Sequence, residues 1–303
     1  MRIFITGSNG LLGQKLLHTF STNIHELTGC DLADGSLIAD VIHSYRQMDI
    51  TDRRQTMTVT GELAPQVIVH TAAMTEVDRC ETEKEMCWRI NVIGTENVLD
   101  GASRVGAKVI FISSDYIFDG KNGPYDEEAV PNPICYYGRS KLAAENLIRG
   151  SGLDWTIIRT IVLYGCGVNV RSSFVTWLLG ALRAGKRVHI VNDQWGNTTL
   201  VDDLAVGIER TLILGKSGIF NVAGRGYRTR CEFALRIAKI FNLSSDLISP
   251  ISTGELRQAA PRPLRSGLVI DKAERELYIS FRTMDESLKL YKNQELQASG
   301  ALN

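Results

Sequence analysis

Short apolar segments alternate with longer stretches of helical periodicity in the first half of the chain. The apolar segments are rich in Ile and Val and lack the period-two alternation of a half-exposed strand, which indicates strands buried on both faces. They lie at residues 2–6, 26–31, 66–70, 107–113 and 155–159. The helical stretches lie at residues 11–20, 83–104 and 137–149. These repeated strand–helix units predict an α/β protein with a Rossmann-type, doubly wound parallel sheet.

This regular order loosens after about residue 160. A Gly-rich loop is followed by helical patterns, one short strand pattern and a polar tail. We place the loop at 164–169, helices at 174–184, 202–214 and 230–241, the strand at 187–191, a second loop at 192–197, and the tail from 293. No Pro/Gly/Ser linker separates the halves. We therefore predict a dinucleotide-binding domain over residues 1–160, which carries the catalytic residues, and a small C-terminal substrate lobe over 161–303 that is interleaved with it.

Composition and charge exclude several partner classes. The 303 residues are 44% hydrophobic and 22% charged, as in an ordinary soluble enzyme. Lys plus Arg and Asp plus Glu balance at 34 each, so we expect neither nucleic acid nor a membrane as partner. Six cysteines without a CxxC pair indicate free thiols in a reducing compartment. The N-terminal residues lack a signal-peptide core and no segment has the ~20 apolar residues of a membrane span, so we expect a cytoplasmic protein.

A glycine-rich turn joins the first predicted strand to the first predicted helix. Its GxxGxxG spacing allows backbone N–H groups to approach a pyrophosphate at the helix N-terminus, whose dipole favours an anion. Asp31 ends the second strand, where its carboxylate can accept hydrogen bonds from an adenosine ribose. Because a carboxylate there repels a 2′-phosphate, NADH is favoured and NADPH stays possible. The predicted cofactor-binding residues are Gly7, Asn9, Gly10, Leu11, Leu12, Gly13 and Asp31, with Asp49 and Ile50 beside the adenine.

Tyr137 and Lys141 form a YxxxK pair on one face of a predicted helix. An ammonium beside a phenol lowers the pKa of the phenol, as a general acid for a forming alkoxide requires near neutral pH. The preceding strand ends at Ser114, whose hydroxyl points into the crevice where doubly wound sheets bind ligands and can donate to a substrate oxygen. We therefore predict Ser114, Tyr137 and Lys141 as the catalytic residues of a carbonyl or alcohol oxidoreductase.

This order of motifs resembles the extended short-chain dehydrogenase/reductase family, and more narrowly its dTDP-4-dehydrorhamnose reductase subfamily. The segments that carry the resemblance are 70–78 (HTAAMTEVD), 113–120 (SSDYIFDG), 124–127 (PYDE) and 193–197 (DQWGN). The resemblance implies an NAD(P)H-dependent reductase of a nucleotide-linked 4-keto-6-deoxy sugar. In such an enzyme Ser114 and Tyr137 polarise and protonate the 4-keto oxygen, and Lys141 binds the nicotinamide ribose.

The resemblance also implies further binding residues. The cofactor would contact Thr71, Ala72, Ala73 and Asn91, in addition to Tyr137 and Lys141. The substrate would contact Thr75, Val77, Ser114, Tyr116, Asn169 and Trp195, with Arg171 or Arg262 near a diphosphate.

Three departures from the subfamily pattern concern the substrate. Val162 stands where relatives often carry a tryptophan, so Trp195 would have to supply a planar wall of the sugar pocket. The segment 167–174 is longer than the usual Asn–Phe pair, which affects the expected diphosphate contacts of Asn169 and Arg171. Finally, Thr198-Thr199 replaces a Pro-Thr pair.

Two alternatives stay open. A nucleotide-sugar 4-epimerase would use the same Ser, Tyr and Lys. A non-catalytic, dinucleotide-binding regulator would resemble the β subunit of methionine adenosyltransferase, which is similar to the same subfamily. A 4,6-dehydratase would require an Asp-Glu pair where this chain has Asp115-Tyr116, which argues against that activity. The five histidines are dispersed, so we predict no metal site. The helices at 83–104 and 137–149 are apolar enough to pair with their copies, and we expect a homodimer.

Overall fold

The main sheet of the computed structural model has seven parallel strands; the model describes residues 1–22, 25–298 and 300. The strands of the described residues, inside and outside this main sheet, are β1 Arg2–Thr6, β2 Glu26–Asp31, β3 Ser44–Gln47, β4 Val67–His70, β5 Lys108–Ser114, β6 Trp155–Thr160, β7 Leu163–Tyr164, β8 Val188–Val191, β9 Trp195–Gly196, β10 Thr199–Leu200, β11 Gly218–Asn221, β12 Arg228–Thr229 and β13 Ile248–Ile251. The sheet order is β11-β6-β5-β4-β1-β2-β3. The direction of winding therefore reverses between β1 and β4, which is where such folds bind ligands.

Helices cover both faces of this sheet and continue into the C-terminal lobe. They are α1 Leu11–Ser21, α2 Arg53–Leu63, α3 Val77–Thr82, α4 Lys84–Trp88, α5 Gly94–Val105, α6 Tyr136–Gly150, α7 Phe174–Arg183, α8 Val201–Ile213, α9 Arg230–Ile240, α10 Thr253–Leu256, α11 Asp271–Leu277 and α12 Met284–Ala298. A π-helical turn, Arg89–Ile93, separates α4 from α5, and 3₁₀ turns occupy Asp115–Ile117 and Ser245–Leu247. Among the described residues, none of these helices combines the length and the apolar character that crossing a membrane requires.

Three clusters of buried side chains hold these layers together. On one face of the main sheet, α1, α8 and α11 bury residues such as Leu16, Phe20 and Leu204. On the other face, α2, α5 and α6 bury a second cluster around Phe111. A third cluster belongs to the lobe, where α7, α9 and α12 pack around Phe233 next to β8 and β13. Strand β11 and helix α8 follow residue 160 in the sequence and complete the main sheet and its helical layer.

Two predicted elements differ in the structure. The helix predicted over 83–104 is interrupted at Arg89–Ile93, where the backbone widens into a π-helical turn. The polar tail predicted from Asn293 is wrong up to Ala298, because α12 continues through these residues. Leu288 and Tyr291 of α12 are buried in the lobe. Their burial stabilises the helix, although its last turns are polar. The rest of the predicted tail includes residues outside the described ones.

Candidate active site

The glycine turn packs tightly against the segment that follows β4. Gly7 has a φ of +71°, and a Cβ there would lie 2.8 Å from the backbone nitrogen of Ala72. Thr71 fixes this contact, because its hydroxyl donates to the carbonyl oxygen of Thr6 at 2.6 Å. A Cβ on Gly13 would come within 2.3 Å of the Gly7 carbonyl oxygen. Only glycine fits these positions, so the turn brings its backbone close to the N-terminus of α1.

Asp31 and Asn9 hold the outer side of this turn. The Asp31 carboxylate accepts a hydrogen bond from the backbone N–H of Asn9 at 3.1 Å and another from that of Leu32 at 2.8 Å. The Asn9 amide donates to the carbonyl oxygen of Gly35 at 2.9 Å and accepts from the N–H of Leu37 at 2.9 Å. Asp31 therefore lies beside the turn, as the sequence predicts for a residue that faces an adenosine ribose.

A cavity of about 1020 Å³ runs from this turn to the end of β5 and into the lobe. Thirteen of the predicted site residues line it: Gly7, Gly10, Leu11, Leu12, Gly13, Thr71, Ala73, Thr75, Val77, Ser114, Tyr116, Tyr137 and Lys141. Its size fits a dinucleotide together with a second ligand, since pockets for single small molecules measure ~300–1,000 Å³. The predicted residues that do not line it are Asn9, Asp31, Asp49, Ile50, Ala72, Asn91, Asn169 and Trp195.

Ser114, Asp115 and Ser266 form a hydrogen-bonded group at the carboxyl end of β5, and Tyr137 lines the same cavity. The Ser114 hydroxyl donates to the Asp115 carboxylate at 3.1 Å and accepts from the backbone N–H of Tyr116 at 3.3 Å. The second Asp115 oxygen accepts from the Ser266 hydroxyl at 2.5 Å. Burial raises the pKa of Asp115 to about 6, and the hydrogen bonds from Ser266 and Ser114 oppose that rise. Sequence reasoning assigned no role to Asp115, although its place directly after Ser114 is a usable signal.

The buried ammonium of Lys141 lies 4.1 Å from the centroid of the Phe111 ring. Burial lowers the pKa of Lys141 to about 7, although Glu145 and nearby thiols favour its charged form. Burial also raises the pKa of Tyr137 above its usual range. The net shift of the Tyr137 pKa is therefore upward, because desolvation of the phenol outweighs the effect of nearby charges, and the expected lowering by Lys141 stays a prediction.

Asn91 lies outside the cavity lining and holds α6, the helix that carries Tyr137 and Lys141. Its amide oxygen accepts from the backbone N–H of Met74 at 2.8 Å, while its nitrogen donates to the Met74 carbonyl and to the Ser140 hydroxyl at 3.0 Å each. Ser140 lies on α6 between Tyr137 and Lys141. This arrangement fixes α6 against the 71–78 segment, and the proposed contact of Asn91 with the cofactor stays a prediction.

Two other predicted cofactor residues lie in the segment that follows β3. Asp49 accepts a hydrogen bond from the N–H of Thr51 at 2.8 Å, which caps a turn. Ile50 is buried against Gly94 of α5. A Cβ added to Gly94 would lie 2.7 Å from the Cδ1 atom of Ile50. The proposed contact of both residues with an adenine stays a prediction.

The predicted substrate residues of the lobe are dispersed. Trp195 stacks on Tyr227, with 5.6 Å between ring centroids, and lines an adjoining cavity of about 30 Å³ that shares part of its lining with the main one. Val162, which lines both cavities, has a φ of +42°, a strained value for a β-branched residue. Asn169 is exposed outside the main cavity, also at positive φ. Arg171 lines the cavity and forms an ion pair with Glu76 at 3.4 Å.

Two arginines give the inner cavity positive charge. Arg262 donates to the Asp78 carboxylate at 2.8 Å and to the Ala260 carbonyl at 2.9 Å, and its guanidinium lies 6.0 Å from the Tyr116 ring centroid. The Arg230 guanidinium lies 4.9 Å from the Phe174 ring centroid, and burial lowers its pKa. Sequence reasoning missed Arg230, because an arginine at the start of a helix has no distinguishing pattern. Among the described residues, no cluster of three or more His, Cys, Asp and Glu side chains is arranged to hold a metal ion.

Comparison with known proteins agrees with this architecture. The family model described as "RmlD substrate binding domain" matches residues 1–296. The chain belongs to this family. The resemblance and the Rossmann-type fold predicted from the sequence are thereby confirmed, and with them the prediction of an NAD(P)-dependent oxidoreductase.

Individual relatives differ in what their names state. The chain is 32% identical to the spore coat polysaccharide biosynthesis protein SpsK of Bacillus subtilis, over 96% of each chain. It is 31% identical to methionine adenosyltransferase 2 subunit beta of Xenopus tropicalis, over 90% of this chain and 82% of that one. Among solved structures, dTDP-4-dehydrorhamnose reductase from Bacillus anthracis, in complex with NADP, matches with a TM-score of 0.87 and 31% identity, over 97% of this chain and 99% of that one.

Proposed function

We propose that this chain uses NAD(P)H to reduce the keto group of a nucleotide-linked 4-keto-6-deoxy sugar. The observation that carries the proposal is the single cavity that joins the glycine turn to Ser114, Tyr137 and Lys141 and then continues to Arg230 and Arg262. One end of this cavity suits a dinucleotide, its middle holds proton donors, and its far end carries cationic groups. Reduction of a carbonyl on an anionic substrate needs these three parts in this order.

The glycine turn fits the pyrophosphate of a dinucleotide. Helix α1 begins after Gly10, which has no side chain, so the backbone N–H groups of its first turn are available to an anion. When bound, the nicotinamide supplies a hydride. Asp31 beside the turn favours NADH, because its carboxylate repels the 2′-phosphate of NADPH. The ratio of kcat/KM for the two dinucleotides tests this preference.

Tyr137 is the proposed general acid. Because burial raises its pKa, Tyr137 retains its proton at neutral pH until the substrate oxygen becomes an alkoxide and accepts it. Ser114 turns from Asp115 to donate to the same oxygen, and the Ser266 hydroxyl continues to hold Asp115. The phenolate that remains on Tyr137 is stabilised by the ammonium of Lys141, and this new anion in turn favours the charged form of Lys141.

Arg230 and Arg262 are the proposed partners of the substrate diphosphate. A guanidinium pairs well with phosphate oxygens, and both side chains line the cavity. We propose the lobe after residue 160 as the main substrate-binding part, since Arg230 and Arg262 lie there. Asn169, predicted for this role, is exposed outside the cavity.

The experiment follows dinucleotide oxidation by absorbance with a dTDP-4-keto-6-deoxy sugar and with its UDP counterpart. We expect net oxidation, and a Tyr137→Phe variant should lose at least ~100-fold in kcat. Tyr136→Phe is the matched control, because the ring of the partly exposed Tyr136 lies tilted against that of Trp88, with 6.3 Å between centroids, and Tyr136 lies outside the cavity lining. Equal turnover by Tyr137→Phe and Tyr136→Phe would contradict the assignment. Interconversion of the 4-hydroxy epimers of a dTDP- or UDP-linked sugar, with no net change in the dinucleotide, would indicate an epimerase.

A regulatory role is the second candidate, favoured by the 31% identity with methionine adenosyltransferase 2 subunit beta. In that case the protein would bind a dinucleotide tightly and turn over no keto sugar. It would also form a stable complex with a methionine adenosyltransferase catalytic subunit in a pull-down.

We also propose a homodimer that uses the surface around α4 to α6. Trp88 and Ile93 are each 38% exposed there, which is consistent with a face that a second copy covers. Light scattering after size-exclusion chromatography tests this state, and a monomer at all concentrations would contradict it.

A further inference from the structure

Gln14 connects the glycine turn to a loop of the C-terminal lobe. Its side chain is buried in the first turns of α1. The amide nitrogen donates to the carbonyl oxygen of Asn9 at 2.7 Å and to that of Val168 at 2.8 Å. The amide oxygen accepts from the backbone N–H of Val168 at 2.8 Å. One side chain therefore holds the backbone of two segments that are about 160 residues apart in sequence.

The loop that Gln14 holds, residues 165–173, lies directly on α1. A Cβ on Gly167 would come within 2.9 Å of the Gln14 amide oxygen and within 3.4 Å of Leu11 Cδ1. This glycine therefore permits the close approach that the hydrogen bonds require. Farther along the loop, Arg171, Ser172 and Ser173 line the cavity, and Arg171 reaches across to Glu76 at 3.4 Å.

We propose that Gln14 is a positioning residue that couples dinucleotide binding to the placement of loop 165–173. A pyrophosphate bound by the N–H groups of the glycine turn immobilises that turn and with it the Asn9 carbonyl. Gln14 transmits this restraint to Val168, so the loop is held over the part of the cavity that takes the second ligand. By linkage, a nucleotide bound under the loop must strengthen dinucleotide binding by the same factor. The inference rests on the proposed two-ligand use of the cavity.

The Val168 amide provides a direct readout, because its N–H group donates to Gln14. Hydrogen–deuterium exchange of the full-length protein is measured for residues 165–173 with and without NADPH. In the wild type, NADPH should slow exchange in this loop as well as in the glycine turn. In Gln14→Leu, which keeps a similar side-chain size without the amide, loop exchange should be at least ~10-fold faster and should no longer respond to NADPH. Exchange in the glycine turn should still respond.

A neighbouring residue supplies the matched control. Lys15 of α1 also forms a long-range contact, an ion pair with Asp202 at 2.9 Å. This ion pair joins α1 to α8 and does not involve loop 165–173. Lys15→Gln should therefore leave exchange of residues 165–173 and its response to NADPH unchanged. The second readout is the Kd of dTDP, measured with and without NADPH. NADPH should lower this Kd in the wild type and in Lys15→Gln, and it should leave the Kd unchanged in Gln14→Leu.

Several results would overturn the inference. Equal loop exchange in folded Gln14→Leu and in the wild type would show that Gln14 does not position the loop. If Gln14→Leu does not fold, Gln14→Asn, which is one methylene too short to bridge both segments, must show the same uncoupling. If neither variant folds, Gln14 is a core residue and the proposal fails. A protein that binds NADPH and shows the coupling without reducing any keto sugar would refute the proposed function and leave this inference standing.

Discussion

Replacing Lys141 with methionine should stabilise the unliganded protein at pH 7, although it removes a group that we place in the reaction. Lys141 is 3% exposed, and burial lowers its pKa from 10.5 to about 7. In the unfolded chain the same ammonium is hydrated and fully charged at pH 7. The unfolded state therefore binds more protons than the folded state between about pH 7 and 10.5, and stability rises with pH across this window.

The size of the effect follows from the pKa difference. A change from 10.5 to about 7 corresponds to a cost of about 4 kcal/mol at pH 7, and the cost disappears as the pH approaches 10.5. Methionine has a similar length and no charge, so Lys141→Met should raise the free energy of unfolding at pH 7 by about 2–4 kcal/mol. By pH 10 the gain should fall to less than about 1 kcal/mol.

Urea unfolding without dinucleotide, at several pH values between 7 and 10, measures this difference. Lys121→Met is the control, because the Lys121 side chain is 75% exposed; its effect should stay within about 0.5 kcal/mol. A Lys141→Met variant that is less stable than the wild type at pH 7, or whose gain does not depend on pH, would refute the reasoning. Turnover should be lost in either case.

The remaining predictions concern the glycine turn and the carboxylate next to Ser114. Gly13→Ala would place a Cβ 2.3 Å from the Gly7 carbonyl oxygen, so we expect at least ~10-fold weaker NADPH binding by calorimetry and a loss of about 1–3 kcal/mol in stability. Gly180→Ala, at an exposed position of α7, meets no atom within 4 Å and should stabilise by about 0.5–1 kcal/mol with unchanged binding. Equal effects of the two substitutions would contradict the steric argument. Because burial raises the pKa of Asp115 to about 6, kcat/KM should change near that pH in the wild type and not in Asp115→Asn. The folded Asp115 keeps its proton between about pH 4 and 6, so wild-type stability should fall as the pH rises through this range, and Asp115→Asn should remove that fall.

The central strands β1, β4, β5 and β6 could be predicted because a parallel strand covered on both faces needs an apolar segment, and each of them has one. The edge strand β3, with the sequence SYRQ, was missed because a polar, largely exposed strand has no such pattern. Strand β11 was missed for another reason. It is four residues long and lies in sequence between elements of the lobe, and only its pairing with β6 makes it part of the main sheet.

The sequence by itself determined the glycine turn and the grouping of Ser114, Tyr137 and Lys141 around one cavity, since these depend on local spacing at the ends of strands and along one helix. The tertiary structure alone decided which other side chains reach the cavity. Burial set the direction of the Tyr137, Lys141 and Asp115 pKa shifts, and burial depends on the packing of distant segments. The contacts between Asp115 and Ser266, and between Gln14 and Val168, join residues about 150 positions apart. No periodicity along one chain can specify such contacts, because they arise only when the lobe closes over the sheet.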